Sequence, residues 1–84
     1  MSIFNYEGIR NVSFEPEVVY RFYPDYIGEE NLAGKFKLNL DDWKPVIIEP
    51  ANLYDERCAA ALAYRIKKYF EENGELPERV FHIA

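Results

Sequence analysis

The side chains that carry most nucleophilic and metal chemistry are scarce in this chain. It contains one histidine (His82), one cysteine (Cys58), two serines (Ser2 and Ser13) and no threonine. Nucleophilic catalysis and transition-metal binding usually draw on several such residues together. The inventory therefore predicts a protein that is not an enzyme and that holds no metal or other cofactor.

The only thiol–imidazole pair that the chain could assemble is Cys58 with His82. A position near a helix N-terminus can activate a thiol. Cys58, however, stands at the head of an apolar stripe with helical spacing, and free cysteine is among the most buried residue types. We therefore expect Cys58 to pack in the core and His82 to lie at the surface or rim.

Acidic side chains offer a second kind of chemistry, because the chain has 15 of them. Asp25, Glu29 and Glu30 share one segment, and Asp41 and Asp42 share a turn, but neither group has the spacing of a calcium-binding loop. The four glycines are too widely separated to form a phosphate-binding loop. We interpret these carboxylates as solvated surface groups.

The net charge of −5 bears on the choice of partner. An acidic domain repels phosphate at long range, so nucleic acid is disfavoured as a partner. The basic stretch 57–68 is the one counter-indication. Two of its cations, Lys67 and Lys68, stand four residues before Glu71 and Glu72, a spacing that favours ion pairs along a helix.

Length and composition predict one soluble domain spanning residues 1–84. Aromatic residues make up 17% of the chain and supply large buried areas, so a core is feasible without disulfides. The lone cysteine excludes an internal disulfide. The N-terminus lacks the pattern of a signal peptide, and no apolar run approaches the roughly 20 residues that span a bilayer. A cytoplasmic protein without membrane association is the expectation.

The first half of the chain has the pattern of β-structure. Residues 3–6 are predicted as a short strand, Glu7-Gly8 suits a turn, and residues 9–14 are expected to return from it. Segment 17–23 is dense in β-branched and aromatic residues and is followed by Pro24.

Segment 34–40 alternates between apolar and polar residues, which is typical of an antiparallel strand with one face in water. It is expected to form a hairpin with 17–23 across a long loop, 24–33. Residues 41–45 are predicted as a turn and 46–48 as a short apolar strand.

The strongest single element is a helix predicted over about residues 53–73. Asn52 is a suitable N-cap, Asp55 resembles a capping-box acid, and Gly74 suits the C-terminal end. The predicted apolar stripe consists of Cys58, Ala59, Leu62, Ala63, Ile66, Tyr69 and Phe70. With a last strand over 79–83, the pattern predicts an α+β fold: a mainly antiparallel sheet of three to five strands, one long helix on one face, and a short C-terminal strand.

One helix covers one face of a sheet, so the other face is available for contacts. The predicted interaction residues combine tyrosine, arginine and lysine, a chemistry typical of interfaces. They are Val19, Arg21, Tyr23, Tyr26, Lys35 and Lys37 around the hairpin, and Arg57 and Tyr64 on the outer side of the helix.

These residues suggest a small non-enzymatic protein-interaction module of the inhibitor, immunity or adaptor type. Its partner is another protein or, in a homodimer, a second copy of itself. The alternative is a small-ligand binder or weak enzyme with a tyrosine-lined pocket near loop 24–33.

Overall fold

The computed structural model describes residues 5–14, 16–24, 33–52 and 54–83, and their side chains apart from those of residues 5, 12–14 and 83. In chain order, the elements within these residues are β1 (Asn5–Phe14), β2 (Glu17–Tyr23), β3 (Gly34–Asn39), β4 (Pro45–Glu49), α1 (Asp55–Asn73) and β5 (Arg79–Ile83). The strands form one antiparallel sheet in the order β4-β3-β2-β1-β5, with α1 packed on one face. The predicted α+β fold is confirmed.

The hairpin between β2 and β3 supplies the middle of the sheet. Its register places Tyr20 opposite Phe36 and Arg21 opposite Lys35, so the residues that alternation assigns to one face do share that face. The Tyr20 and Phe36 rings stack at 5.9 Å, and Phe22 contacts Phe36 at the same centroid distance. Because all three rings are fully buried on the helix side, they anchor the sheet to the core.

Strand β1 differs from its prediction. The turn expected at Glu7-Gly8 is wrong, because β1 runs without a reversal from Asn5 to Phe14, with its irregularity between Arg10 and Val12. Residues 3 and 4 of the first predicted strand lie outside the described residues. Gly8 has a packing role: a Cβ there would lie 3.0 Å from Val80 Cγ1 and 3.3 Å from Leu62 Cδ1. Glycine at this position lets α1 and β5 approach the backbone of β1 closely.

The turn between β3 and β4 is confirmed. Its backbone N–H groups are held by side chains, since Asp41 N–H donates to Asn39 Oδ1 at 2.7 Å and Lys44 N–H donates to Asp42 Oδ1 at 3.0 Å. Trp43, with a φ of 59°, turns its ring towards α1 and contacts Phe70 at 5.5 Å. The turn thereby adds an aromatic contact at the edge of the core.

Helix α1 begins at Asp55, two residues after its predicted start, and ends as predicted before Gly74, whose φ is 74°. The N-cap is Tyr54, so the prediction of Asn52 in that role is wrong. The backbone is left-handed at Asn52 (φ 65°) and at Tyr54 (φ 52°), so regular helix begins only at Asp55. Asp55 still acts as a capping acid, since its Oδ2 accepts hydrogen bonds from Ala51 N–H at 3.0 Å and Asn52 N–H at 3.2 Å.

The apolar stripe of α1 packs on the sheet through most of its predicted members. Cys58, Ala59, Leu62, Ala63 and Ile66 are buried. Tyr69 was also predicted in the stripe, but its side chain is 39% exposed. In this last part of the helix, Phe70 is half-buried with its ring against Trp43, whereas Tyr69 lies at the surface.

Candidate interaction surface

The sheet has one covered and one uncovered face among the described residues. Alternate positions of β2 and β3 are sealed under α1, with Phe22 and Leu38 fully buried. The intervening positions point to the other side, which we call the open face. Its members, placed by strand register and by their contacts, are Glu7, Ile9, Glu17, Val19, Arg21, Tyr23, Lys35, Lys37, Val46, Glu49, Arg79 and Phe81.

Three cross-strand ion pairs organise the charges of the open face. They are Lys35 Nζ with Glu49 Oε2 at 3.2 Å, Lys37 Nζ with Glu17 Oε2 at 3.3 Å, and Arg79 Nε with Glu7 Oε2 at 3.2 Å. They link β3 to β4, β2 to β3 and β1 to β5. Because such pairs are partly exposed, each contributes little to stability, but together they neutralise most of the charge of this face.

Arg21 has a different environment. It is exposed, and no carboxylate oxygen of the described residues lies within 4 Å of its guanidinium. Ile9 of β1 and Lys35 of β3 stand directly opposite it in register. Val19 and Tyr23, both half-buried, precede and follow it on the same face of β2. Arg21 therefore lies in a mainly apolar setting, which we call the Arg21 patch (Ile9, Val19, Arg21 and Tyr23).

The open face also contains apolar residues that the sequence reasoning did not select. Val46 on β4 is 54% exposed and Phe81 on β5 is 42% exposed. Ile48, which lies at the irregularity in β4 and has no register partner, is also exposed (48%) but is not counted in the open face. Side chains alternate between the two faces along any strand, so Val46 and Phe81 each had to lie on one face or the other. Which face each residue occupies became clear only from the register of β4 and β5 with their neighbours.

The structure does not bring all the predicted interaction residues together. Five of them share the open face, whereas Arg57 and Tyr64 are exposed residues of α1, on the opposite side of the sheet. Tyr64 is 58% exposed with Lys68 Nζ at 5.9 Å from its ring centroid, and the Arg57 guanidinium lies 5.6 Å from the Tyr54 ring. Tyr26 lies outside the described residues.

The charges along the helix also differ from the expected pattern. Lys67 and Lys68 were expected to pair with Glu71 and Glu72, but among the described residues no such contact lies within 4 Å. Lys68 instead lies near the ring of Tyr64. Exposed ion pairs of this kind are weak enough for the lysine stem to pack on a ring instead.

The Cys58 thiol is fully buried, in agreement with the expected core position. Burial, assisted by the nearby charge of Asp55, raises the pKa of this thiol to about 12. The thiol is therefore protonated and weakly nucleophilic at neutral pH. His82 has other partners: its Nδ1 accepts a hydrogen bond from Arg65 Nε at 3.3 Å, and its ring stacks on Tyr6 at 5.7 Å.

Concave features near the open face are shallow. A depression of about 130 Å³ lies between Arg21, Tyr23 and the start of the β1 irregularity, well below the 300 Å³ or more of usual ligand pockets. A wider groove of about 620 Å³ lies where the start of β5 meets β1, and among the described residues that line it Ile9 alone is apolar. The tyrosine-lined pocket predicted near loop 24–33 concerns residues 25–32, which lie outside the described residues.

Two kinds of feature are absent from the described parts of the chain. Within them, no three His, Cys, Asp or Glu side chains are grouped so that they could hold a metal ion. Nor does this part of the chain include a helix with the length and apolar character needed to cross a membrane.

Fold and surface together define a small α+β protein with a helix on one side of its sheet and a mixed apolar and charged face on the other. Comparison with known proteins adds no closer assignment. The chain matches no protein-family model, no curated protein and no solved structure.

Proposed function

We propose that the protein is a small non-enzymatic interaction module, of the inhibitor, immunity or adaptor kind, that docks another protein or a second copy of itself on the open face. The observation that carries this proposal is the one-sided cover of the sheet. Helix α1 seals residues such as Phe22 and Phe36, whereas Arg21, Val46 and Phe81 on the other side are exposed.

The arrangement of side chains on the open face supports a protein partner. Tyrosine and arginine are enriched where interfaces bind most strongly, and such residues cluster near the centre of the contact. Arg21 and Tyr23 lie on β2, the central strand of the sheet. The ion-paired side chains of Lys35, Lys37 and Arg79 are distributed around them and suit a polar rim.

The test compares the tagged wild-type protein with the double variant Arg21→Ala/Tyr23→Ala in affinity capture from a lysate of the source cells. Nuclease is added, and the captured proteins are identified by mass spectrometry. Sedimentation equilibrium of the purified wild-type protein measures self-association in parallel. We expect a stoichiometric partner, or a dimer, that the double variant no longer forms.

Two controls keep this test specific to the open face. Lys67→Ala removes an exposed cation from α1, on the other side of the molecule, and is expected to bind as the wild type does. Thermal unfolding of each variant verifies that the fold is retained. If a folded double variant keeps every association of the wild type, the open face is not the docking surface.

A further inference from the structure

The charge balance of the open face points to the chemistry of its partner. All three carboxylates described on this face are within 3.2–3.3 Å of a lysine or arginine. Four cations share the face with these three carboxylates, so one cation has no such partner among the described residues. That cation is Arg21, which has no carboxylate within 4 Å among the described residues and lies on the third of the five strands.

Because apolar residues surround Arg21, its charge affects the stability of any complex formed on this patch. A protein that packs against Ile9, Val19 and Tyr23 also removes water from the guanidinium between them. Burying a charge without a compensating partner is strongly unfavourable. A complex on this patch is therefore most stable when the partner supplies an anionic group at the position of Arg21.

We propose that the Arg21 patch docks a different protein through an aspartate or glutamate side chain. Its carboxylate forms a bidentate pair with the Arg21 guanidinium, while apolar groups beside it pack on Ile9, Val19 and Tyr23. The planar fork of arginine matches a carboxylate in this way, and the apolar surroundings strengthen the pair by excluding water. This inference rests on the proposed function, because it names the partner of that same surface.

Charge also argues against the two other occupants. In a two-fold dimer centred on the patch, the Arg21 guanidinium meets its own symmetry mate, and like charges at an interface are costly. Nucleic acid requires several cations to neutralise several phosphates. On the open face the other cations are already engaged with Glu7, Glu17 and Glu49.

The experiment uses a phage-displayed library of random, disulfide-closed peptides selected on the immobilised full-length protein. Enriched peptides are synthesised, their binding sites are mapped by amide chemical-shift changes, and their affinities are measured for four proteins: wild type, Arg21→Gln, Arg21→Lys and Lys67→Gln. Lys67→Gln is the matched control, since it removes one positive charge from the exposed side of α1.

We expect enriched peptides to carry an aspartate or glutamate next to apolar residues and to shift the amides of Val19, Arg21 and Tyr23. Arg21→Gln should weaken them by about 30-fold or more, the loss typical of a truncated buried charge pair. Arg21→Lys should restore only part of the affinity, because a lysine lacks the bidentate fork. Lys67→Gln should bind like the wild type.

The results that would contradict this inference differ from those that would contradict the proposed function. Peptides that bind the open face without an acid, or that bind Arg21→Gln as tightly as the wild type, overturn the inference alone. An Arg21-dependent dimer in sedimentation, or Arg21-dependent binding of a single-stranded oligonucleotide, overturns it in favour of another occupant. If no peptide is enriched, or if all enriched peptides map elsewhere, the proposed function fails as well.

Discussion

The hydroxyl of Tyr20 donates a hydrogen bond to the carbonyl oxygen of Pro77 at 2.5 Å inside the core. This contact joins the central strand β2 to the segment between α1 and β5. The neighbouring Arg10 guanidinium adds a second link to the same segment, through a 3.1 Å hydrogen bond to the Leu76 carbonyl. Together these bonds hold the connection from the helix back into the sheet at a defined position.

Replacement of Tyr20 by phenylalanine should destabilise the protein. The ring keeps its stacking on Phe36, but the buried Pro77 carbonyl loses its donor, and an unsatisfied buried group of this kind costs about 1–3 kcal/mol. Urea denaturation of Tyr20→Phe and wild type measures the difference. Tyr64→Phe is the matched control, because Tyr64 is 58% exposed. Equal losses in the two variants would contradict a special role for the Tyr20 hydroxyl.

Stability should fall as the pH rises above about 9.0. Burial raises the pKa of the Cys58 thiol from 9.0 to about 12, and it also raises the pKa of the Tyr20 hydroxyl above 10.0. In this window the unfolded chain releases protons that the folded chain retains, so the free energy of unfolding decreases with pH. The contribution of the thiol is complete below pH 9.0 and is lost progressively up to about pH 12.

Urea midpoints measured across the alkaline range test this pH dependence. Cys58→Ala should show a shallower decline than the wild type, and the decline that persists should be attributable to groups such as Tyr20. A midpoint in the wild type that does not change above pH 9.0 would show that these groups titrate alike in the folded and unfolded chains.

The Cys58 thiol should react slowly with a chromogenic disulfide reagent while the protein is folded. The thiol is fully buried, and its raised pKa keeps it protonated at neutral pH. The measurement is the absorbance change over time in native buffer and in denaturing urea, with glutathione as the reference thiol. Labelling in native buffer at the rate seen in urea would mean that the site is accessible.

Gly34→Ala should destabilise the protein more than Gly8→Ala. A Cβ at position 34 would lie 2.5 Å from the Glu49 carbonyl oxygen and 2.5 Å from Phe22 Cζ, so a strand backbone and a buried ring must move. We expect about 1–3 kcal/mol from this overpacking. At Gly8 the nearest atom is a Val80 methyl carbon at 3.0 Å, which can adjust more easily. Urea denaturation of both variants gives the order, and the reverse order would contradict the packing argument.

Local patterns in the sequence were enough to predict most elements. The two-residue alternation of 34–39 and the β-rich composition of 17–23 predicted a hairpin, and helical spacing ending at Gly74 predicted α1. These features depend on interactions between near neighbours in the chain, which a sequence displays directly. The same alternation placed Val19, Arg21, Tyr23, Lys35 and Lys37 together on one face.

Only the tertiary structure decided which residues face one another across strands. Gly8 has a turn-like sequence context, but it lies in a strand because α1 and β5 pack against it. The pair of Glu7 with Arg79 depends on β5 returning beside β1, and the central place of β2 depends on the order of all five strands. These long-range pairings also leave Arg21, on the central strand, as the cation of the open face without a carboxylate partner among the described residues. No local pattern encodes them, because register and strand order are set by contacts between residues distant in the chain.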